Sequence, residues 1–280
     1  MTRKKINLTK KIIMSILGAL FGILIALPFI WMFVCSMYGT SEEIFQTPMR
    51  LPDGLHFKNY AEIAKSMELW NLLKNTLEIL FFNVFVGTLA SVIVAYGFAR
   101  YAAKGKSVFF TIMLSTVMLP WVVTMVPAYM LWSKVGLIGT KWPLMLPAIG
   151  GGAFNVFMLM QFFRGIPKEL DEAAIIDGCS KFMILFRIIL PNCVPILVTI
   201  LVFSFNGQWA DYLGPSLYLK DTNQYTVALG LLLAKNSMYT APRWNEIMAG
   251  CVIFTLPSIV IYALSQKAFV SGIVMSGIKG

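Results

Sequence analysis

The hydrophobic positions of this chain fall in long unbroken blocks rather than in stripes. Six intervals carry no Asp, Glu, Lys or Arg: Ile12–Val34, Ile79–Ala99, Ser107–Ser133, Trp142–Phe163, Ile188–Ala210 and Ile247–Gln266. The shortest has 20 residues and the longest 27. At about 1.5 Å per residue, an α-helix of roughly 20 residues crosses a hydrocarbon core of about 30 Å. Barrel strands would be shorter and would alternate apolar with polar positions, which these blocks do not. Backbone in lipid must satisfy its own N–H and C=O groups, so the blocks predict six transmembrane helices and an all-α membrane protein.

Smaller signals refine each block. In the first, Gly18, Gly22 and Ala26 recur every four residues, a spacing that permits close helix packing. The third contains Pro120 and Pro127, which predict a kinked helix. In the fourth, Gly150-Gly151-Gly152 predicts fraying or a late start. Outside the blocks, residues 35–74 form a segment with Pro48 and a Pro52-Asp53-Gly54 turn signal. Within it, Tyr60 to Asn71 reads as a short amphipathic helix. Residues 211–246 form a second such segment, with an apolar stretch at Tyr225–Leu233 too short to span. The last helix is expected to end at Gln266-Lys267, before a Gly-rich tail.

Composition agrees with a membrane protein and charge orients it. Of 280 residues, 58% are hydrophobic and 13% charged, against about 25% charged in an ordinary soluble domain. The mean hydropathy is +0.74. With a cytosolic N-terminus and six crossings, the inside segments hold 14 of the 23 basic residues and four of the 13 acids. The outside segments keep nine of each, so the whole excess of +10 lies on one side. This matches the positive-inside rule and places both termini in the cytosol of a multi-pass cytoplasmic (inner) membrane protein, with lipid as a partner. It also argues against nucleic acid, since membrane orientation accounts for the whole positive excess. The N-terminal apolar run is too long for a signal peptide and no A-x-A site follows, so it reads as an uncleaved helix.

Several chemistries lack their residues. A phosphate-binding loop needs G-x-x-x-x-G-K-[ST]; Gly105-Lys106-Ser107 supplies the ending, but Arg100 stands at the first glycine position. His56 is the only histidine, and Cys35, Cys179, Cys193 and Cys251 have no paired spacing, so no metal or catalytic cluster is expected. The chain reads as a non-enzyme with no cofactor of its own. No acid or histidine lies within the six blocks, which disfavours a proton-coupled carrier; an ion-coupled secondary transporter using backbone oxygens remains an alternative.

The segment between the fourth and fifth blocks, residues 164–187, carries the mechanism. Pro167 suits a first helical position, and Glu169, Asp171 and Glu172 suit the first turns of a helix, where its dipole favours acids. Gly178 can take the left-handed conformation that ends a helix, and Ser180 can cap a second one. The reading is a rigid knuckle of two helices. Ala173 and Ala174 are expected to keep one face thin for another protein, with Glu172 offered to a basic partner.

The order Glu172-Ala173-Ala174, three residues ending in Asp177, Gly178, nine residues, then Ile188-x-Leu190-Pro191 resembles the coupling loop of the membrane subunits of ABC importers. Residues 72–266 look like the type-1 transmembrane domain of these importers, with 1–71 as tail, first helix and external loop and 267–280 as a cytosolic tail. Asn155-Val156-Phe157, Gln161-Phe162-Phe163-Arg164, Gln208-Trp209-x-x-Tyr212 with Pro215, Phe269-Val270-x-Gly272 and Gly277-x-Lys279-Gly280 are similar to the carbohydrate branch, as in the second permease of maltose-type importers. Many relatives carry Asn after the tryptophan, where this chain has Ala210.

The resemblance implies a permease subunit that moves a sugar or oligosaccharide. Its partners would be a second homologous permease, two copies of a P-loop ATPase holding ATP and Mg, and an extracytoplasmic sugar-binding protein. ATPase coupling would fall to Glu172, Ala173, Ala174, Asp177 and Gly178. Polar and aromatic candidates for the substrate pathway are Asn83, Asn155, Gln161, Asn206, Gln208, Trp209 and Tyr212. Another polar solute, such as glycerol phosphate, is an alternative cargo.

Overall fold

The computed structural model describes residues 2–46, 50–235 and 242–277, with side chains over 10–46, 50–235 and 242–266. Pro48 and the closing Lys279-Gly280 lie outside these residues. Among the described residues every regular element is helical. The chain opens with α1 (Thr2–Cys35), a short α2 (Ser41–Ile44) and α3 (Lys58–Ser66), followed by the long α4 (Leu69–Arg100). Next come α5 (Lys106–Val117), α6 (Trp121–Lys134), α7 (Trp142–Met145) and α8 (Ala153–Gly165). The knuckle supplies α9 (Glu169–Ile176) and α10 (Lys181–Ile184), which leads through a π turn and a 3-10 turn into α11 (Val194–Trp209). Then α12 (Leu213–Tyr218) and α13 (Val227–Lys235) precede the final α14 (Trp244–Gly277).

Five stretches are long and apolar enough to span: Lys10–Cys35, Leu69–Arg100, Trp142–Gly165, Lys181–Trp209 and Trp244–Gln266. The expected third span differs from a kinked helix. It is broken into α5 and α6, which meet at 102°. The break falls at Pro120, whose missing N–H and ring contact with the preceding turn cannot continue the helix. Pro127, by contrast, is held inside α6. Counting the bent pair as one span gives six. The fourth span breaks within the predicted glycines, where Gly151 has φ +73°. The last helix runs on to Gly277, so the expected tail after Gln266 is helical over most of its length.

Two compact units divide the chain, Met1–Leu69 with Leu231–Leu256 and Trp70–Gly230 with Pro257–Gly280. In the first, a polar knot holds the turn after α1. Asn59 Nδ2 donates to the carbonyls of Ser36 and Tyr38, both at 2.8 Å. Asn245 Nδ2 donates to Asn59 Oδ1 at 3.1 Å, while its Oδ1 accepts from Ser41 Oγ at 3.0 Å. The buried amides thus find partners, as burial requires. The apolar side chains of α1 stay exposed, with Leu20, Phe21 and Leu24 in the open, which suits a lipid-facing helix.

The second unit is built around α4. Over its most apolar window 56% of α4 is buried, against 28% or less for the other spans, so it is the central helix. Its Val92, Ala95 and Tyr96 pack with Val156, Leu159, Met160 and Phe163 of α8 and with Ile184, Leu185, Ile189, Cys193 and Ile200 on the way to α11. Gly151 makes the close approach of α8 to α4 feasible: a Cβ there would lie 3.0 Å from Ser91 N. Gly152 N donates to Ser91 Oγ at 3.0 Å across the same contact. At the other end of α4, Asn75 Nδ2 donates to the carbonyls of Asn223 and Tyr225, at 2.7 and 3.1 Å. Thr76 Oγ1 accepts from Val227 N at 2.9 Å. These bonds tie residues 223–227 to the start of the span.

Candidate functional site

The knuckle forms as its residues dictate, with one shift. Glu169, Asp171 and Glu172 occupy the first turn of α9. Pro167 is not the first helical residue; Lys168 precedes the helix and its carbonyl accepts from Asp171 N and Glu172 N, at 2.9 and 3.1 Å. The C-terminus is a Schellman motif. Cys179 N donates to Ala174 O at 2.9 Å and Gly178 N to Ile175 O at 3.0 Å. Gly178 takes φ +78°, the conformation only glycine adopts freely. The second limb starts where Ser180 Oγ accepts from Met183 N at 3.3 Å. Pro191 then interrupts the backbone ladder, and the helix passes through the π turn Leu185–Ile189 and the 3-10 turn Leu190–Cys193. Asn192 Nδ2 donates to Ile188 O at 2.7 Å within this irregular stretch.

The two alanines of α9 separate. Ala173 is exposed, but Ala174 is buried in the chain's own core, together with Ala95, Tyr96 and Phe163. The sequence expectation that both present a thin outward face holds only for Ala173. Residues three and four apart share a helix face, so the buried Ala174 shares its side with Leu170 and Asp171, while Ile176, two residues on, points away from the core. Ile176 is 86% exposed and Ile175 61%. Glu172, Asp177 and Gly178 are exposed beside them. This is an apolar patch with an acidic border on a rigid support.

The sequence reading missed what holds the knuckle from behind. Arg100, the last residue of α4, places Nε 2.8 Å from Asp171 Oδ2, with the two side chains only 5% and 15% exposed. Arg100 Nη2 donates to Ile166 O at 3.1 Å. One residue on, Tyr101 receives Lys181 Nζ over its ring at 4.8 Å from the centroid. A cation ending a charge-free block and an acid in the knuckle were visible in sequence, but their pairing across 71 positions was not.

The pathway candidates do not form one group. Asn83 Nδ2 donates to Gln208 Oε1 at 2.7 Å and to Leu144 O at 2.9 Å, while its buried Oδ1 takes no hydrogen bond. Asn155 Nδ2 donates to Ser204 Oγ at 3.3 Å. Asn206 turns back onto Val202 O at 3.0 Å. Trp209 is buried and stacks on Phe205 with centroids 5.6 Å apart, so it is packed within the protein here. Gln161 and Tyr212 are exposed. After α11, Asp211 Oδ1 accepts from Gly214 N at 3.0 Å. Burial pushes the Asp211 carboxyl above its ordinary range, opposed by the N–H groups of Gly214 and Leu213.

Apolar spans packed on α4, with a capped helical knuckle between the fourth and fifth spans, are the arrangement of a membrane transport domain. The family model described as binding-protein-dependent transport system inner membrane component matches residues 83–274, and the chain belongs to that family. It is 34% identical to the probable ABC transporter permease protein YurM of Bacillus subtilis (strain 168), over 93% of this chain and 86% of that one. It is 31% identical to the probable starch degradation products transport system permease protein AmyC of Thermoanaerobacterium thermosulfurigenes, over 96% and 97% of the two chains. Among solved structures, a bacterial ABC transporter involved in the import of the acidic polysaccharide alginate superposes with TM-score 0.81 at 21% identity, covering 92% and 95% of the chains. At that identity the likeness establishes the fold.

Proposed function

We propose that the chain is the permease subunit of an ATP-driven importer that carries a sugar or oligosaccharide across the cytoplasmic membrane. The observation that carries this reading is the outward face of α9. Ala173, Ile175 and Ile176, with Leu170 at the flank, leave exposed apolar surface on a helix capped at Gly178 and backed by a packed core. Exposed apolar surface on a rigid support is what a protein partner covers. The partner that supplies energy is a P-loop ATPase, present in two copies and holding the ATP and Mg that this chain has no motif to bind. Glu172 and Asp177 border the patch and suit basic residues on that ATPase.

A second homologous permease completes the pathway, and an extracytoplasmic binding protein delivers the cargo. Relatives named for starch degradation products and for galactooligosaccharides support a carbohydrate cargo. The Asn83–Gln208 and Asn155–Ser204 pairs offer a sugar hydrogen-bonding groups along α4, α8 and α11. The charge distribution supports both termini in the cytosol, which puts the knuckle on the ATPase side.

Gentle detergent purification of the chain from its native membrane tests the reading. A co-purifying ATPase and a second permease are expected, and Ile176→Asp should lose the ATPase while keeping the permease. Recovery of the unmutated chain alone, or as a homo-oligomer, would overturn the proposal in favour of an ion-coupled carrier.

A further inference from the structure

We propose that the Arg100-Tyr101 corner at the end of α4 clamps both limbs of the knuckle, so that α4 moves with the knuckle as one body during the ATP cycle. The inference rests on the importer reading and adds a route through which the push travels. By covalent connection alone, the knuckle drives only the helices it joins, α8 and α11. The structure adds three contacts from Arg100 at the end of α4 and from Tyr101 directly after it. Arg100 Nη2 holds the Ile166 carbonyl at 3.1 Å, at the entrance to the knuckle. Arg100 Nε lies 2.8 Å from Asp171 Oδ2 on the first limb. Lys181 of the second limb sits over the Tyr101 ring at 4.8 Å.

The Arg100–Asp171 pair is the strongest of these, because of where it lies. Both side chains are largely removed from water. Moving α9 away from α4 would leave a guanidinium and a carboxylate apart in a poorly solvated site, which is far costlier than separating them in water. The Nε–Oδ2 approach is a charge contact without hydrogen-bond alignment, and Asp171 Oδ1 accepts no hydrogen bond. Among the described residues, that oxygen has no hydrogen bond to retain the carboxylate if Arg100 is lost. Ala174 packs in the same core as Ala95 and Tyr96, so apolar contact reinforces the charge contact on the same two elements. Asn83 lies 17 residues before Arg100 on α4, about 25 Å along a straight helix. A clamp at one end of α4 thus carries displacement to its polar contact with Gln208. Arg100 and Asp171 are positioning residues; neither needs to touch the cargo.

The test uses the complete importer purified from its native membrane, with Cys179→Ala and Cys251→Ala to remove the partly exposed thiols. Nitroxides are placed through Lys168→Cys and Phe85→Cys, both exposed positions, and distances are read by pulsed electron resonance without nucleotide and with ATP plus vanadate. In the otherwise unmutated complex the distance should stay constant within about 2 Å, the size of ordinary helix adjustments. Arg100→Gln should make it nucleotide-dependent or split it into two populations. Arg100→Lys, which keeps the charge, and the exchange Arg100→Asp with Asp171→Arg should restore one constant distance, a rescue that a purely space-filling role would not give. A distance that shifts with nucleotide before any change at Arg100, or an Arg100→Gln complex indistinguishable from the parent, overturns the clamp. ATP hydrolysis by the same preparation is a separate readout. Its absence overturns the importer reading, whereas hydrolysis accompanied by a shifting parent distance overturns the clamp alone.

Discussion

Replacing Gly178 with valine isolates one element of the knuckle. The residue sits at φ +78°, and a Cβ built there meets nothing within 4 Å. The cost of a side chain is therefore one of backbone conformation, not of collision. An L-residue in the left-handed region costs roughly 1–2 kcal/mol, and a β-branched one falls at or above the upper end. Since about 1.4 kcal/mol is tenfold in an equilibrium, the Schellman cap should lose close to 30-fold in stability against its open forms. The bond to watch is Cys179 N–H to Ala174 O. Hydrogen exchange at the Cys179 amide in the purified complex should accelerate about 10- to 30-fold in Gly178→Val. Gly178→Asn should stay within about threefold of the parent, because asparagine tolerates this region. In transport, Gly178→Val should hydrolyse ATP without matching uptake. Unchanged exchange in the valine variant, or an asparagine variant as labile as the valine one, would refute the backbone argument.

Three further outcomes follow from the packing and charge described above. Gly151→Ala combines φ +73° with a Cβ 3.0 Å from Ser91 N, so it should destabilise the second unit by about 2–4 kcal/mol and lower the thermal denaturation midpoint; Gly165→Ala, with open space around it, should not. Asn83→Ala and Gln208→Ala each remove one end of a 2.7 Å bond, so each should slow uptake while the double variant loses less than the sum, with a coupling of about 1 kcal/mol. The Asp211 carboxyl is raised by burial. A raised acid contributes stability that is full below its unfolded pKa and lost as pH rises through the folded value. Asp211→Asn should therefore stabilise the protein at neutral pH in thermal melts, and its advantage should disappear as pH falls below the ordinary 3.8.

Much of the architecture is legible in the sequence because lipid imposes a one-dimensional constraint. A backbone without water must form helices of membrane length, so Ile79–Ala99 and Ile188–Ala210 announce themselves without any knowledge of neighbours. The ends of the knuckle are equally local. Gly178 and Ser180 act on backbone groups within five residues, and both take their expected roles. The spacing of Glu172, Ala173, Ala174 and Gly178 carries the resemblance on which the proposed coupling role rests.

What depends on the direction of a helix face or on distant partners appears only in three dimensions. Pro120 reads as a kink in sequence, yet the chain turns 102° there, because the angle depends on what packs on either side. Glu172-Ala173-Ala174 is a single motif in sequence, but α9 has one rotation about its axis, which buries Ala174 and exposes Ala173. Trp209 is an aromatic candidate in sequence, and only the structure shows that it is buried with Phe205 stacked on it. The Arg100–Asp171 pair is the extreme case. Coulomb attraction has no sequence range, and only the meeting of α4 with α9 decides which of the chain's cations that acid receives. Composition and local backbone chemistry set which segments span and where the knuckle bends; the tertiary structure alone decided which of its faces is outward and which helix grips it from behind.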